Sequence, residues 1–204
     1  MKRNALLLSV LLVIAVSPLA QAAREKGATS PGTYKNWGEA EIDEIEIAKA
    51  FTSSSYDRIA VVPFDTSKIE PKGKEAVVIQ GALDGYTAVF VEGLRDRIAA
   101  KSMKIDIAEK APKTAKTLIV RGTVEELNPG SRAKRALAGY GAGAARNKVS
   151  VELVDAKSGT VLVRFTQAHR SAGTFKFAGG TPAQVMRDGT RAMGEDTAAI
   201  INSF

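Results

Sequence analysis

The sequence contains no cysteine and only one histidine, His169. Without cysteine there is no disulfide, no thiolate metal site, no catalytic thiol and no acceptor for an N-terminal lipid. A single imidazole that has neither a thiolate nor a second imidazole beside it cannot build a zinc site. We therefore expect no metal, and a surface or structural role for His169. The fold must be held together by its hydrophobic core alone.

Aromatic residues are also scarce, at 6 % of the chain, and they are not interleaved with the 29 basic residues. This pattern excludes nucleic acid as an expected partner. The Gly-x-Ser-x-Gly motif of hydrolases is missing, and the carboxylates occur only as neighbours along the chain. No catalytic residue is predicted. An unrecognised hydrolase would require Asp, Ser or His169 to converge in a cleft, and it stays as a third hypothesis.

Only one long apolar run is present, at residues 5–16, and it follows Lys2 and Arg3. It is shorter than the roughly 20 residues that cross a bilayer, and it ends at the small residues Ala20-Gln21-Ala22. Residues 1–22 are therefore predicted to be a signal peptide, cleaved after Ala22. No other segment is a candidate membrane span, so we expect a periplasmic or secreted protein.

Two further segments complete the predicted organisation. Residues 23–38 are rich in Gly, Pro, Ser, Thr and charge and have no periodicity, which predicts a flexible leader. Trp37, the only tryptophan, is expected to be pinned to the body, because burying an indole is strongly favourable. Residues 39–204 form a single α/β domain. The apolar residues of the acidic run at 39–47 fit neither the helical period nor the strand period cleanly. A helix and an edge strand therefore both stay open for this run.

Apolar patterns within this domain predict five strands and two main helices. The strands are expected at 58–64, 104–107, 117–124, 148–154 and 160–166, with the last two joined by the turn 155–159. Residues 81–102 carry apolar residues at three- and four-residue steps, which predicts an amphipathic helix, and Thr181-Pro182 begins a closing helix that ends near residue 202. The predicted fold class is α/β, a mixed sheet with helices packed on it as a two-layer sandwich.

The connection between the third and fourth strands combines a turn, cations and glycines. Its Gly139-Tyr140-Gly141-Ala142-Gly143 run is not a dinucleotide loop, because such a loop needs glycine at the position of Ala144, a strand before it and a helix after it. No cofactor is expected. The glycines allow the backbone to bend, and they could also let two subunits approach closely. We take as a candidate interaction loop Asn128, Arg132, Lys134, Arg135, Gly139, Tyr140, Gly141, Gly143 and Arg146.

Two interpretations of these cations remain open. Arg132, Lys134, Arg135, Arg146 and Lys148 could be solvated side chains that cover the edge of the sheet. The functional alternative is an anion site for a lipid headgroup, an acidic glycan or an acidic protein surface.

Three segments carry a resemblance to a known family. They are 128–135, 139–143 and 151–159, and in them the chain resembles the bacterial envelope family called domain of unknown function 4410. The resemblance extends to the strand at 59–64 and to the closing helix. It implies an exported envelope protein and brings no catalytic residues. Many members resemble lipoproteins, and this chain differs from them in lacking the cysteine that would be lipidated.

The leading hypothesis is a non-catalytic periplasmic module for protein interaction or assembly. Its partner would be another envelope protein or a second copy of the chain. The alternative is a binder of an anionic lipid or glycan through the basic loop. At the level of fold alone, the order of elements also resembles the α/β domains of lipoproteins in curli secretion and peptidoglycan-synthase activation.

Overall fold

The computed structural model describes residues 27–38, 40, 42–130, 145–170 and 181–204. These residues form one mixed β-sheet of seven strands and three α-helices. The strands are β1 (Gly32–Lys35), β2 (Ile42–Ile47), β3 (Arg58–Val61), β4 (Lys104–Ile107), β5 (Thr117–Asn128), β6 (Arg146–Asp155) and β7 (Val161–Arg170). The helices are α1 (Ala76–Asp84), α2 (Tyr86–Arg97) and α3 (Pro182–Ser203).

The strand order across the sheet is β1-β2-β7-β6-β5-β3-β4. Strand β3 pairs in parallel with both β4 and β5, and all other neighbours are antiparallel. Because α1 and α2 connect the parallel strands β3 and β4, they form the crossover that such a pair requires. Strands β5 and β6 extend well beyond the end of β3. The candidate site lies at the far end of these two strands.

The helices cover one face of the sheet. Alternate residues of the central strands enter a single core with them, as in β6, where Val149, Val151 and Leu153 are all buried. Helices α2 and α3 pack closely at Gly93 and Gly194, where any side chain would overlap the backbone of the other helix. This two-layer arrangement confirms the predicted class of architecture.

The other face of the sheet carries a ladder of charges that runs across four strands. The guanidinium groups of Arg121 on β5 and Arg164 on β7 lie 2.6 Å and 2.8 Å from the carboxylate of Glu152 on β6, and Arg164 lies 3.5 Å from Glu46 on β2. Burial alone would raise the pKa of Glu152, but hydrogen bonds from Arg164 and Arg121 outweigh it, so the pKa is lowered. This face is therefore largely neutralised by its own residues.

The predicted number of elements needs correction. All five predicted strands are present, but β1 and β2 extend the sheet to seven strands. The segment left open between helix and edge strand is β2, which lies one strand in from the edge. The predicted helix at 81–102 is instead α1 and α2, which meet at Gly85 and are bent by 53°. The closing helix begins at Pro182 as predicted, with Thr181 accepting a hydrogen bond from Gln184 N.

Part of the predicted flexible leader is ordered structure. Strand β1 lies within it and pairs with β2. Trp37 is buried, as expected, and its Nε1 donates to Ala28 O at 2.8 Å. The indole also lies directly against Gly27, where no side chain would fit. Aromatic burial therefore fixes this segment against the core, an outcome that composition alone did not indicate.

No single helix in the described segments is long and apolar enough to cross a membrane. The segments 73–84 and 86–97 satisfy that criterion only as a bent pair. Of their apolar residues, Tyr86, Phe90 and Leu94 are buried in the core, whereas Val77 is exposed.

Candidate functional site

The candidate site lies at the end of the sheet where β5 and β7 finish and β6 begins. The strand register places Asn128, Arg146 and Arg170 side by side in one row across these three strands. We call this region the basic end. The connections 131–144 and 171–180 both leave the sheet here. Of the candidate interaction loop, Asn128 and Arg146 fall within the described residues, whereas Arg132, Lys134, Arg135, Gly139, Tyr140, Gly141 and Gly143 lie outside them.

Asn128 is held in the turn that its sequence predicts. Its Oδ1 accepts a hydrogen bond from Gly130 N at 2.8 Å, and Gly130 has a φ of +73°, a conformation that favours glycine. Because the amide oxygen is engaged within the turn, the amide nitrogen of Asn128 is left as a hydrogen-bond donor.

A very small cavity of about 10 Å³, with room for about one water molecule, lies at the basic end between the sheet and the first half of α3. Strands β5, β6 and β7 contribute its polar residues, and α3 contributes apolar ones. Its lining consists of Asn128, Ala145, Arg146, Asn147, His169, Val185, Met186 and Gly189. None of these residues is acidic, and most of the exposed lining is apolar.

The floor of the cavity is fixed by a buried hydrogen-bond network. Tyr86 on α2 donates its hydroxyl to Asn147 Oδ1 at 3.0 Å, and Asn147 Nδ2 donates to Thr190 Oγ1 on α3 at 3.0 Å. Burial raises the pKa of Tyr86. Since both ends of the Asn147 amide are engaged, this side chain holds the sheet, α2 and α3 in a defined relation.

His169 lies in the cavity wall and faces α3. It is opposite Asn147 in the strand register, and its ring would be in close contact with any side chain at Gly189. This packing agrees with a structural role for His169. Within the described residues no group of histidines and carboxylates could hold a metal ion.

Arg146 differs from the other arginines. Among the arginine side chains that the structure describes, it alone makes no hydrogen bond or ion pair. The other seven each contact a carboxylate or a backbone carbonyl: Arg58, Arg95, Arg97, Arg121, Arg164, Arg187 and Arg191. An unpaired guanidinium beside a cavity is available to an external anion.

The sequence around the site explains why Arg146 has no acidic partner. Residues 127–187 contain ten basic residues and two acidic ones, Glu152 and Asp155. Glu152 is engaged in the charge ladder, and Asp155 accepts hydrogen bonds from Ser158 and Tyr56 at the opposite end of β6. The connections 131–144 and 171–180 contain no Asp or Glu. Within the described residues Arg146 therefore has no acidic partner, whereas Lys148 lies opposite Glu126 in the strand register.

A second buried polar contact lies deeper between β7 and α3. Gln167 is fully buried, and its Nε2 donates to Asp196 Oδ2. The Oε1 atom of Gln167 has no hydrogen-bond partner. Arg97 approaches Asp196 at 3.7 Å. This contact ties the sheet to α3 away from the cavity.

Sequence reasoning found the strand ends of the site but missed its floor. Tyr86 was predicted only as an apolar contact of a helix, and neither Asn147 nor Thr190 was identified. The sequence did contain an indication of this floor. Asn147 occupies an inward position in a strand whose next inward residues are Val149 and Val151. A polar residue at such a position indicates a buried hydrogen bond.

Fold and site together define a class: a two-layer α/β domain with a seven-stranded mixed sheet and an uncompensated basic end. Residues 87–174 match the sequence model of the family described as "Domain of unknown function (DUF4410)". The match supports the resemblance of these residues to this family. The match runs from α2 to just beyond β7, so it includes the strands of the candidate site but not α3. It is shorter than the extent over which the resemblance was expected.

Several solved structures are similar to the chain. The PelC dodecamer of Paraburkholderia phytofirmans is 17 % identical, with 74 % of this chain and 94 % of that one covered and a TM-score of 0.48. A DUF330 protein of Xanthomonas campestris is 14 % identical, covering 73 % and 89 %, with a TM-score of 0.41. Lipoprotein GNA1162 of Neisseria meningitidis is 13 % identical, covering 57 % and 83 %, with a TM-score of 0.30. At these scores the likenesses say nothing about what this chain binds. No curated protein matches the sequence.

Proposed function

We propose that this chain is an exported, non-catalytic module of the cell envelope that binds an acidic partner through its basic end. The single observation that carries the proposal is that Arg146, among the arginine side chains that the structure describes, is the one without a partner. A guanidinium gains from a hydrogen-bonded anion. Asn128 and Arg146 flank the connection 131–144, whose sequence contains Arg132, Lys134 and Arg135.

Two kinds of protein partner fit this surface. One is another envelope protein with an acidic face. The other is a second copy of the chain, since residues 39–46 contain five acidic residues and no basic one. On β2 the exposed Asp43 and Glu44 belong to this acidic segment. The small residues 139–143 would allow close approach of either partner.

The geometry also supports a binding role over hydrolysis. His169 borders the cavity, but the lining residues include no Asp, Glu or Ser that could act with it. The other buried polar groups nearby, Tyr86, Asn147 and Thr190, are engaged with one another. These three side chains would stabilise the fold and the shape of the site.

The test is capture of envelope partners by a variant in which Arg132, Lys134 and Arg135 are changed together to Ala. Crosslinking in intact cells followed by pull-down should lose the partners captured by the wild type, while the thermal midpoint stays within about 2 °C, since exposed charges contribute little to stability. A matched control replaces Lys101, Lys110 and Lys113 with Ala. These three exposed lysines precede β5, so the control removes the same charge outside the basic end.

Each outcome is informative. Unchanged capture by the Arg132, Lys134 and Arg135 variant would contradict the proposal. If the lysine control lost the partners to the same extent, capture would depend on net charge and not on the basic end. A large fall in the thermal midpoint would show that the cluster is structural. Sedimentation of the purified wild type and of the purified variant tells whether the partner is a second copy of the chain or another protein. Only self-association changes the native mass of the purified chain.

The alternative function is binding of an anionic lipid or glycan, and it is favoured by the sequence of the two connections at the basic end. Residues 131–144 and 171–180 contain four basic residues and no Asp or Glu. An excess of positive charge of this kind attracts an anionic headgroup or an acidic sugar as well as an acidic protein.

A further inference from the structure

We infer that two copies of the chain associate through the sheet face without helices, with the basic end of each copy against the acidic strand β2 of the other. We call this sheet face the open face. The inference rests on the proposed function and names the partner of the basic end. A two-fold axis between the stacked sheets relates the copies, so each contact is made twice.

The cations of the basic end lie on the open face. Successive residues of a strand point to opposite faces, and the buried Asn147 is hydrogen-bonded to α2 and α3 on the helical side. Its neighbours Arg146 and Lys148 therefore point to the open face, where Arg146 is exposed and Lys148 half-buried. Neither forms an ion pair within the described residues, although Glu126 is opposite Lys148 in the register. Two cations of the open face are therefore left without an anion.

Strand β2 presents two anions on the same side of the molecule. Glu46 belongs to the charge ladder of the open face, and Glu44, two residues before it, points the same way. The exposed Asp43 precedes Glu44 at an irregularity in the pairing with β7. In the part of the chain that the structure describes, neither Asp43 nor Glu44 forms an ion pair, although Lys35 of β1 is opposite Glu44. These anions complement the cations of β6 in number and sign.

The two charged patches are placed so that the open face complements itself. Strand β7 alone lies between β2 and β6, so the patches are about 10 Å apart across the sheet. When a face carries opposite charges side by side, a two-fold axis can set each charge of one copy against its opposite in the other. Between the patches β7 presents Thr166 and Ala168, whose small side chains allow a second sheet to pack closely.

The rest of the open face is compatible with a second sheet. The ladder of Arg121, Glu152, Arg164 and Glu46 is paired within one copy and carries no net charge. Strands β5, β6 and β7 have at least ten residues each, so the face is roughly 33 Å long, and its seven strands make it roughly 30 Å wide. This area can hold a standard interface of about 800 Å² per partner. Because the unpaired charges are accessible to solvent, added salt should weaken the association.

Sedimentation velocity of the purified chain tests the inference. We expect the wild type to form a dimer that dissociates on dilution and when salt is added. Arg146→Glu with Lys148→Glu reverses the cations, and Asp43→Lys with Glu44→Lys reverses the anions. Each double variant should weaken self-association about a hundredfold or more, because like charges then face each other in both copies of the contact.

Restoration of the dimer identifies the pairing itself. Mixing equal amounts of the two double variants should give a heterodimer, because each reversed patch then meets its opposite. The chain with all four substitutions should dimerise with itself for the same reason. The matched control is Lys74→Glu with Lys101→Glu, which makes the same change of net charge at exposed residues before α1 and after α2. It should dimerise like the wild type.

Each of three results would overturn the inference. They are a wild type that is monomeric at every concentration, a dimer that survives the reversals or is lost equally in the control, and folded double variants that fail to associate when mixed. Circular dichroism shows whether the variants are folded. The proposed function fails separately, through unchanged capture of partners in the cell. A monomeric chain that still captures partners through Arg132, Lys134 and Arg135 would bind another envelope protein, and only the inference would fail.

Discussion

Asn147 shows how one polar residue organises the interior at the candidate site. It occupies an inward position of β6 and is almost fully buried. Its amide accepts from Tyr86 and donates to Thr190, so one side chain joins the sheet to two helices. A buried amide without hydrogen-bond partners would lower the free energy of unfolding by about 1–3 kcal/mol. Arrangements that separate Asn147 from Tyr86 or Thr190 are therefore disfavoured. The residue therefore stabilises one relative placement of the sheet, α2 and α3.

Changing Tyr86 to Phe tests this network. The substitution keeps the ring but removes the hydroxyl, which leaves Asn147 Oδ1 buried without its donor. We expect a loss of about 1–3 kcal/mol in the free energy of unfolding, measured by urea denaturation. Tyr34→Phe is the matched control, because the exposed Tyr34 hydroxyl donates only to Ser30 O. It should change stability by no more than about 0.5 kcal/mol. Equal effects in both variants would contradict the role of the network.

Residue patterns predicted the burial of single side chains well where periodicity was strong. Leu83, Tyr86, Phe90, Leu94 and Ile98 are all buried, as their spacing indicated. Partners of polar side chains could not be predicted in the same way. Tyr86 and Asn147 are 61 positions apart, and only the fold brings them within hydrogen-bond distance.

At the scale of elements, the α2–α3 crossing sets how closely the helical layer packs. At Gly93 a side chain would overlap Arg191 O, and at Gly194 it would overlap Phe90 O. On the solvent side of the crossing, Arg187 pairs with Glu92 at 2.6 Å and Arg191 with Asp96 at 2.7 Å. Close backbone contact, with only minor help from exposed ion pairs, therefore holds these helices together.

Alanine substitutions at three glycines test this packing. Gly93→Ala and Gly194→Ala place a methyl group against backbone, which cannot move as a flexible side chain can. We expect each to destabilise the fold by about 3 kcal/mol or more. Gly81→Ala is the control, because nothing lies within 4 Å of the added atom in the helix α1. It should stabilise by roughly 0.5–1 kcal/mol. Thermal and urea unfolding measure all three, and destabilisation by Gly81→Ala would contradict this account.

The elements show where sequence patterns stop being sufficient. Strands β3 to β7 were predicted because each has its own apolar pattern and turn signals. Strand β1 was missed because its four residues, Gly32–Lys35, have no such pattern and gain their order from pairing with β2. The break at Gly85 was missed because the apolar residues keep their spacing through it. Pairing and bending are set by tertiary contacts, which local propensity does not encode.

On the scale of the whole molecule, charge is distributed unevenly between the two faces and the ends of the sheet. The face without helices is neutralised by ion pairs, among them Arg121 with Glu152 and Arg58 with Asp106. The basic end has no such compensation. Under the proposed function an acidic partner would meet this end first, because an asymmetric distribution of charge orients a protein as it approaches an opposite charge.

Several carboxylates of the whole molecule have a lowered pKa in the folded state. Hydrogen bonds lower the pKa of Asp106 through Arg58, of Glu125 through Lys68 and of Asp155 through Ser158. At the other extreme, burial and the neighbouring Asp155 raise the pKa of Tyr56 to about 12. The Tyr56 hydroxyl donates to Asp155 Oδ2 at 3.1 Å, so a single contact responds to both acid and alkali.

These shifts determine how the stability of the protein should depend on pH. A carboxyl group whose pKa is lower in the folded than in the unfolded protein stabilises the fold. This contribution is complete above the unfolded pKa, 3.8 for Asp and 4.5 for Glu, and it is lost as the pH falls through the folded pKa. A raised tyrosine pKa gives stability that is complete below 10.0 and is lost as pH rises towards about 12. The thermal midpoint should therefore be level between about pH 5 and 9 and fall on both sides. Tyr56→Phe should reduce the alkaline fall and leave the acid one largely in place. A midpoint that changed steadily between pH 5 and 9 would show that other groups govern the stability.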